Sequence, residues 1–208
     1  MGTWPSYFNN PSYRDSRPVE QISYDDIRGS IAGAGWPSNN NVDATSFMGT
    51  LRAKTGLGFD LPTESQWEYA GRAGTTTALN SGYNLTNEVN DANMNAVGRY
   101  FYNGGNVSTQ NGDTSIGTAK VGSYLGNAWG LYDFHGNIWE WCLDWYGTYP
   151  DTVTDPKGAA TGSQRVGRAG CWYFLTASGC RIAFRNSPNA PGFSINGTGF
   201  RVALPSGQ

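Results

Sequence analysis

Charge is scarce in this chain of 208 residues: Asp, Glu, Lys and Arg make up 14% of it, and the formal net charge is −2. Nucleic-acid backbones and anionic lipid surfaces select clustered Lys and Arg, so neither is an expected partner. There is one histidine, His135, and three cysteines, Cys142, Cys171 and Cys180. A lone imidazole excludes any site built from several of them. An odd cysteine count does not describe a closed disulfide framework. No apolar run approaches the roughly 20 residues that cross a bilayer. The opening "MGTWPSYFNN" has neither the basic nor the apolar region of a signal peptide.

Glycine and aromatic residues are abundant instead, with 29 Gly, 8 Trp and 12 Tyr. Much of the apolar mass therefore carries a polar tip, and the backbone is rich in turn formers. That composition predicts loop-heavy architecture over a small core, not a helical bundle. Three helices are legible. Ser23 caps one, with Asp25 and Asp26 in its first turn and Ile22 ahead of it. A second is predicted from about Asp43 to Lys54, with Phe47, Met48 and Leu51 as its buried stripe and Gly56 as its stop. The third has capping-box spacing at Thr63 and Gln66, with Trp67 and Ala70 on one side. From about Thr75 to Gly122 the pattern dissolves into Asn, Gly, Ser and Thr. Short strand-like runs follow, in "NIWEWCLDWY" and "GFRVAL". No linker divides the chain, so residues 1–208 are read as a single domain. The sequons at Asn84, Asn106 and Asn196 are what chance gives in so Asn-, Ser- and Thr-rich a chain.

The motifs "LPTESQWEYAGRAG", "WGLYDFHGNIWEWCLDWY", "RVGRAGCW", "CRIAFRN" and "GTGFRVA" stand in an order that resembles the formylglycine-generating enzyme, or sulfatase-modifying factor, family. The opening "MGTWPSYFNNPSYRDSRPVEQISYDDI" matches as well. The resemblance implies an α+β elaborated C-type lectin fold with a small antiparallel sheet, few helices and long loops. It departs in one respect: family domains carry a strand and a helix before the segment equivalent to Met1–Phe8.

Fold alone does not decide activity. The family's oxidases use a Cys-x4-Cys pair ahead of an Arg-x-Ala-x-Arg element, which here is Arg181, Ala183 and Arg185. Counting back puts the pair at Ala177 and near Trp172, and neither is cysteine. Cys171 and Cys180 do not have the catalytic spacing. They read as small buried hydrophobes, with a soft-metal pair as the sharper alternative. A sulfoxide-forming branch of the family needs three histidines, which this chain lacks. His135 itself reads as a hydrogen-bonded turn residue. The expectation is therefore a protein that is not an enzyme, with an oxidase of the formylglycine type as the alternative.

The C-terminal motifs also resemble the variable proteins of diversity-generating retroelements, in which adenine-directed mutagenesis rewrites Asn-type codons between fixed anchors. On that resemblance residues 168–203 form a variable ligand-binding region. Trp172, Cys180, Arg181, Arg185, Pro188, Gly199, Phe200 and Arg201 are its scaffold. Tyr173, Phe174, Leu175, Ser178, Gly179, Ile182, Phe184, Ser187, Ala190, Gly192, Phe193, Ser194 and Ile195 are all reachable from an Asn codon by changing adenines alone. They are the expected ligand-binding residues; the plainer reading is ordinary core and loop. Rigid aromatic area beside small polar groups is what natural paratopes use. The implied partner is an unknown protein or cell-surface ligand. The implied setting is display on a cell or virion exterior, with no membrane insertion by this chain.

The Trp-rich stretch around Trp139, Trp141 and Trp145 invites a carbohydrate or cation-cage reading. Its alternation equally describes a strand with large buried side chains, which is the preferred reading. The resemblance further implies a structural Ca2+ ion held by the side chains of Asp133 and Glu140 and the carbonyls of Gly136 and Ile138. Hard oxygen ligands on a Gly-containing loop suit that ion. A second family calcium site would include Asn93 and Asp113.

Overall fold

The computed structural model describes residues 4–149 and 153–204. Its centre is strand β1, Trp139–Trp145. Strand β2, Arg165–Arg168, pairs antiparallel with it, and β3, Asn186–Asn189, pairs antiparallel with β2. Strand β4, Thr198–Gly199, lies along the other side of β1 and is parallel to it, giving the order β3-β2-β1-β4. The sheet is thus small, as expected, but mixed. The chain reaches β4 by way of β2 and β3, the long connection that a parallel neighbour requires.

Helix α1, Tyr24–Arg28, has the expected cap: Ser23 Oγ accepts the Asp26 N–H, and Asp26 accepts from the Ser23 N–H. Helix α2 is Phe47–Thr55, capped by Ser46 and ended by Gly56 in the left-handed region at φ 70°. It starts later than predicted because Asp43 is engaged elsewhere. Its carboxylate accepts the N–H groups of Ile31 and Ala32, and its carbonyl accepts the Ser46 hydroxyl and N–H. Helix α3, Glu64–Arg72, has the Thr63–Gln66 capping box read from the sequence.

Helix α4, Ala92–Val97, was not legible. At six residues it is too short for periodicity to register. Its cap, Asp91, accepts from the N–H groups of Thr86, Asn87 and Met94 and from the Thr86 hydroxyl. One carboxylate thereby orders the start of the loop-rich segment. Arg17 holds the other end through the carbonyls of Gly112, Asp113 and Thr118. Side chain-to-backbone bonds do here what a sheet ladder does elsewhere.

The core is divided by β1. Trp141 and Leu143 pack with Ile22, Tyr24, Ile27, Met48 and Leu61. Cys142 points the other way, with Trp67, Phe134, Val166, Ala169 and Ile182. A third cluster joins Leu79, Met94, Val97 and Tyr100 to Ala177 and Cys180. Trp139 and Trp141 are buried, so the strand reading of the Trp-rich stretch holds for both. Trp145 is half-buried beneath the Arg165 guanidinium.

Glu20 ties the N-terminal segment to this frame. It is fully buried, one oxygen accepts the Phe8 N–H at 2.9 Å, and the other has no hydrogen-bond partner. Burial pushes its carboxyl up to about 7. A raised carboxyl favours the folded state below its unfolded value of about 4.3, and that contribution is lost as pH rises through about 7. Glu20→Gln is therefore expected to gain on the parent as pH is raised from about 4.5 to 7, by up to about 3 kcal/mol. Urea titrations of both proteins across that range read the difference directly. The opposing contribution of buried His135, lowered to about 4, cancels between them.

Candidate ligand-binding face

The segment from Cys171 to Arg185 leaves β2 and folds over the end of the sheet. Trp172 is buried, and its indole Nε1–H donates to the Asn196 carbonyl at 2.7 Å. Its ring meets Phe8 edge-on at 5.2 Å, and Tyr173 stacks edge-on against it at 4.8 Å. Phe174 packs edge-on against Trp139 at 5.4 Å and Phe184 at 5.7 Å. Phe174 and Phe184 thus form a half-buried aromatic group with Trp139, while half-buried Tyr173 lies between Trp172 and Gly197.

Leu175 projects from that group at 60% exposure. Ser178 is half-buried at its edge. Phe193 is exposed, as are Ala190, Gly192 and Ser194, but this turn is anchored near α1, where the Asp25 N–H donates to the Pro191 carbonyl. Ile195 is half-buried, and its carbonyl accepts from Gln21. Ser187 is half-buried on β3. No described contact joins the Phe193 turn to the Leu175 group.

Two expected face residues are core. Ile182 has no exposure and packs with Trp67 and Phe134, its terminal methyl against Gly71. Gly179 is buried beneath the Phe174 ring, where an added Cβ would lie 1.8 Å from a ring carbon. Its neighbours on either side, Arg181 and Ala183, are exposed, so the chain turns position 182 inward between them.

Arg185 and Arg201 are tied into the frame, and Arg181 is not. Arg185 grips Glu64 with both ends of its fork, Nε to Oε1 at 2.8 Å and an Nη to Oε2 at 2.7 Å. Arg201 grips Glu140 in the same bidentate manner, and Phe200 packs on Phe47 at 5.0 Å. Arg181, expected beneath the face, is exposed on it, with only its Nε–H engaged, at the Ser178 carbonyl. The scaffold position of Pro188 lies on β3, where only its backbone is described.

Sequence reasoning missed a second wall. The Phe101 N–H donates to the Phe174 carbonyl, and the N–H groups of Ala177 and Ser178 donate to the carbonyls of Val89 and Glu88. Loops 84–91 and 101–105 thus border the face. The one available signal was Asp91 at cap spacing before Met94 and Val97.

All three cysteines are buried and free. Burial pushes the Cys171 thiol up to about 12 and those of Cys142 and Cys180 well above their ordinary value. His135 is buried in the turn that the sequence suggested, its Nδ1 at 2.7 Å from the Cys180 carbonyl and its Nε2 accepting the Asn80 N–H. Ala177 and Trp172, the positions of the oxidase pair, are buried.

Of the expected calcium ligands, Asp133, Ile138 and Glu140 line one small cavity with Asn137 and Arg201. Asp133 Oδ2 accepts the Gly122 N–H, and its Oδ1 is buried without a hydrogen-bond partner. Burial raises its pKa, the Gly122 bond opposes that, and the Glu140 carboxylate adds to it. A cation would supply what Asp133 lacks. Glu140 is differently placed, because Arg201 and the Trp67 indole already occupy its oxygens. The Gly136 carbonyl accepts the Ile138 N–H at 2.9 Å. Among the described residues no three His, Cys, Asp or Glu side chains gather into a metal cluster, so an ion here would lean on backbone carbonyls. Asn93 donates to the Asn84 carbonyl and Asp113 caps Ser115; no described contact joins them.

A family model for the sulfatase-modifying factor enzyme 1-like domain matches residues 4–205. The chain belongs to that family. Curated relatives include the formylglycine-generating enzyme of Thermomonospora curvata, 34% identical over 79% of this chain and 55% of the relative. That of Streptomyces coelicolor is 33% identical over 86% of this chain and 63% of the relative. The chain thus spans less than two thirds of either enzyme. The serine/threonine-protein kinase pkn1 of Chlamydia caviae is 36% identical over 78% of this chain but only 24% of that protein. Among solved structures, Treponema denticola variable protein 1 superposes with a TM-score of 0.73 at 26% identity, covering 98% of this chain and 78% of that one. PvdO from Pseudomonas aeruginosa, at 21% identity and TM-score 0.65 over 90% of this chain and 61% of its own, shares the fold.

Proposed function

We propose that this sulfatase-modifying factor domain is a non-enzymatic binding protein of the kind represented by the treponemal variable protein. Residues 168–203 would present a diversified surface to a protein or cell-surface ligand. The observation that carries the reading is the division of labour in that segment. Trp172, Arg185 and Arg201 are held by hydrogen bonds to the frame, whereas the side chains of Leu175 and Phe193 project from it. A site that tolerates many side chains cannot depend on them for its backbone. Display at a cell or virion exterior would be supplied by a segment or partner other than the described domain.

The alternative, an oxidase of the formylglycine type, draws on the identity to the enzymes. It lacks cysteine at either position of the catalytic pair. Its remaining thiols are buried and hard to ionise, and a thiol acts as nucleophile or metal ligand only as thiolate. Randomising Leu175, Ala190, Phe193 and Ser194 in a displayed library and selecting against unrelated proteins should yield folded, specific binders. Copper-dependent turnover of a cysteine peptide by the parent chain would sink the proposal.

A structural calcium ion belongs to this reading. The Asp133 carboxylate and the Gly136 and Ile138 carbonyls would hold it, with Glu140 joining as Arg201 gives way. An ion that binds only the native state stabilises by mass action. Chelation is expected to lower the Tm by several degrees, and Asp133→Ala to abolish that response. An unchanged Tm between chelator and millimolar calcium would remove the ion from the account.

A further inference from the structure

Arg181 is the arginine of the variable segment that the frame does not consume. Among the described residues it forms no ion pair, and its Nε–H bond to Ser178 orients the guanidinium while leaving both Nη groups uncommitted. It lines a small cavity with Ser178 on one side and Asn84, Thr86, Asn87 and Glu88 on the other. The far wall, though exposed, is hydrogen-bonded in place. Asp91 fixes the backbone of Thr86 and Asn87, Asn87 Oδ1 accepts from Val89 and Asn90, and Asn84 Oδ1 accepts from Ala78. The amide Nδ2–H2 groups of Asn84 and Asn87, both in the lining, make no hydrogen bond among the described residues and are donors available to a ligand. The Ile182 N–H to Ala78 carbonyl bond ties the two walls together.

We infer that this cavity is a carboxylate-binding subsite, taking an Asp or Glu side chain of the protein that docks on the adjoining face. A planar fork with two unoccupied donors matches a carboxylate in bidentate geometry. The pre-ordered wall means that little freedom is lost on binding. Glu88, in the same lining, opposes any anion there, so the preference for a carboxylate over phosphate rests on the planar geometry of the Arg181 fork. The inference rests on the binding-protein reading for its biological partner, but not for the chemistry of the cavity.

The test is therefore made on the free chain. N-acetyl-aspartate N-methylamide is titrated into isotopically labelled protein while the Arg Nε–H and Asn side-chain amide resonances are followed. The asparagine analogue and inorganic phosphate serve as controls. Saturable shifts at Arg181, Asn84 and Asn87 are expected with the carboxylate. They should be weaker with phosphate, absent with the carboxamide, absent in Arg181→Gln and several-fold tighter in Glu88→Gln. No saturable shift by tens of millimolar, an equal response to the carboxamide, stronger binding of phosphate, or retained shifts at Asn84 and Asn87 in Arg181→Gln each overturn it. Because no partner is present, failure here leaves the library selection standing, and failure of that selection leaves this result standing.

Discussion

Glu64→Ala is expected to destabilise the domain by about 3–5 kcal/mol, as for breaking a buried ion pair. Glu64 opens helix α3 and is buried, yet it accepts from Arg168, from both ends of the Arg185 fork and from the Tyr149 hydroxyl. The Arg168 side chain is fully buried and that of Arg185 is half-buried. Removing the carboxylate strands two guanidiniums, of which Arg168 keeps only Glu68 and the Ile182 carbonyl. The same substitution frees the segment that carries the face from helix α3. A large drop in urea midpoint at unchanged slope is the expected reading, and Glu64→Gln should lose less because it retains the shape and some acceptors. A Glu64→Ala protein as stable as the parent would show that the Glu64 cluster does not hold the segment.

Trp172→Ala should lower stability by about 3–5 kcal/mol, the range for emptying a large aromatic site. Leu175→Ser and Phe193→Ser should each change it by no more than about 0.5 kcal/mol. Trp172 fills the space between Phe8 and Tyr173 and bonds the Asn196 carbonyl, so its loss leaves both a cavity and an unpaired acceptor. Leu175 is largely exposed and fills nothing. Ile182→Ala belongs with Trp172, at about 2–5 kcal/mol, since it is core despite its place in the variable segment. Thermal or chemical denaturation of the four variants ranks them. A ranking with Leu175 among the costly positions would turn the face back into ordinary packing.

The helix starts at Ser23 and Thr63 were readable because capping is local: a hydroxyl, an acceptor three residues on and an apolar run lie within one turn. The same holds for the Gly56 stop. The anchors were readable from the family motifs. Their partners were not, because Arg185 and Glu64 lie 121 residues apart. Helix α4 and the loop from 84 to 91 were lost among Asn, Gly, Ser and Thr, since a single carboxylate orders them and polarity conceals no periodicity.

Codon reachability from Asn named the expected face positions, but it carries no direction. It placed Ile182 and Gly179 with Leu175, although one side chain sits against Trp67 and the other position lies under Phe174. The family motifs likewise set Arg181 with the anchors, although it is exposed. The sequence by itself determined the family, the lectin-like architecture, the capped helices and the residues around which the C-terminal segment is built. Only the tertiary structure decided which of them look outward. The reason is that a non-helical, non-strand segment has no period to fix its side-chain directions. Each turn in it is set by contacts with distant parts of the chain: Ala78 at Ile182, Glu88 at Ser178 and Asn196 at Trp172.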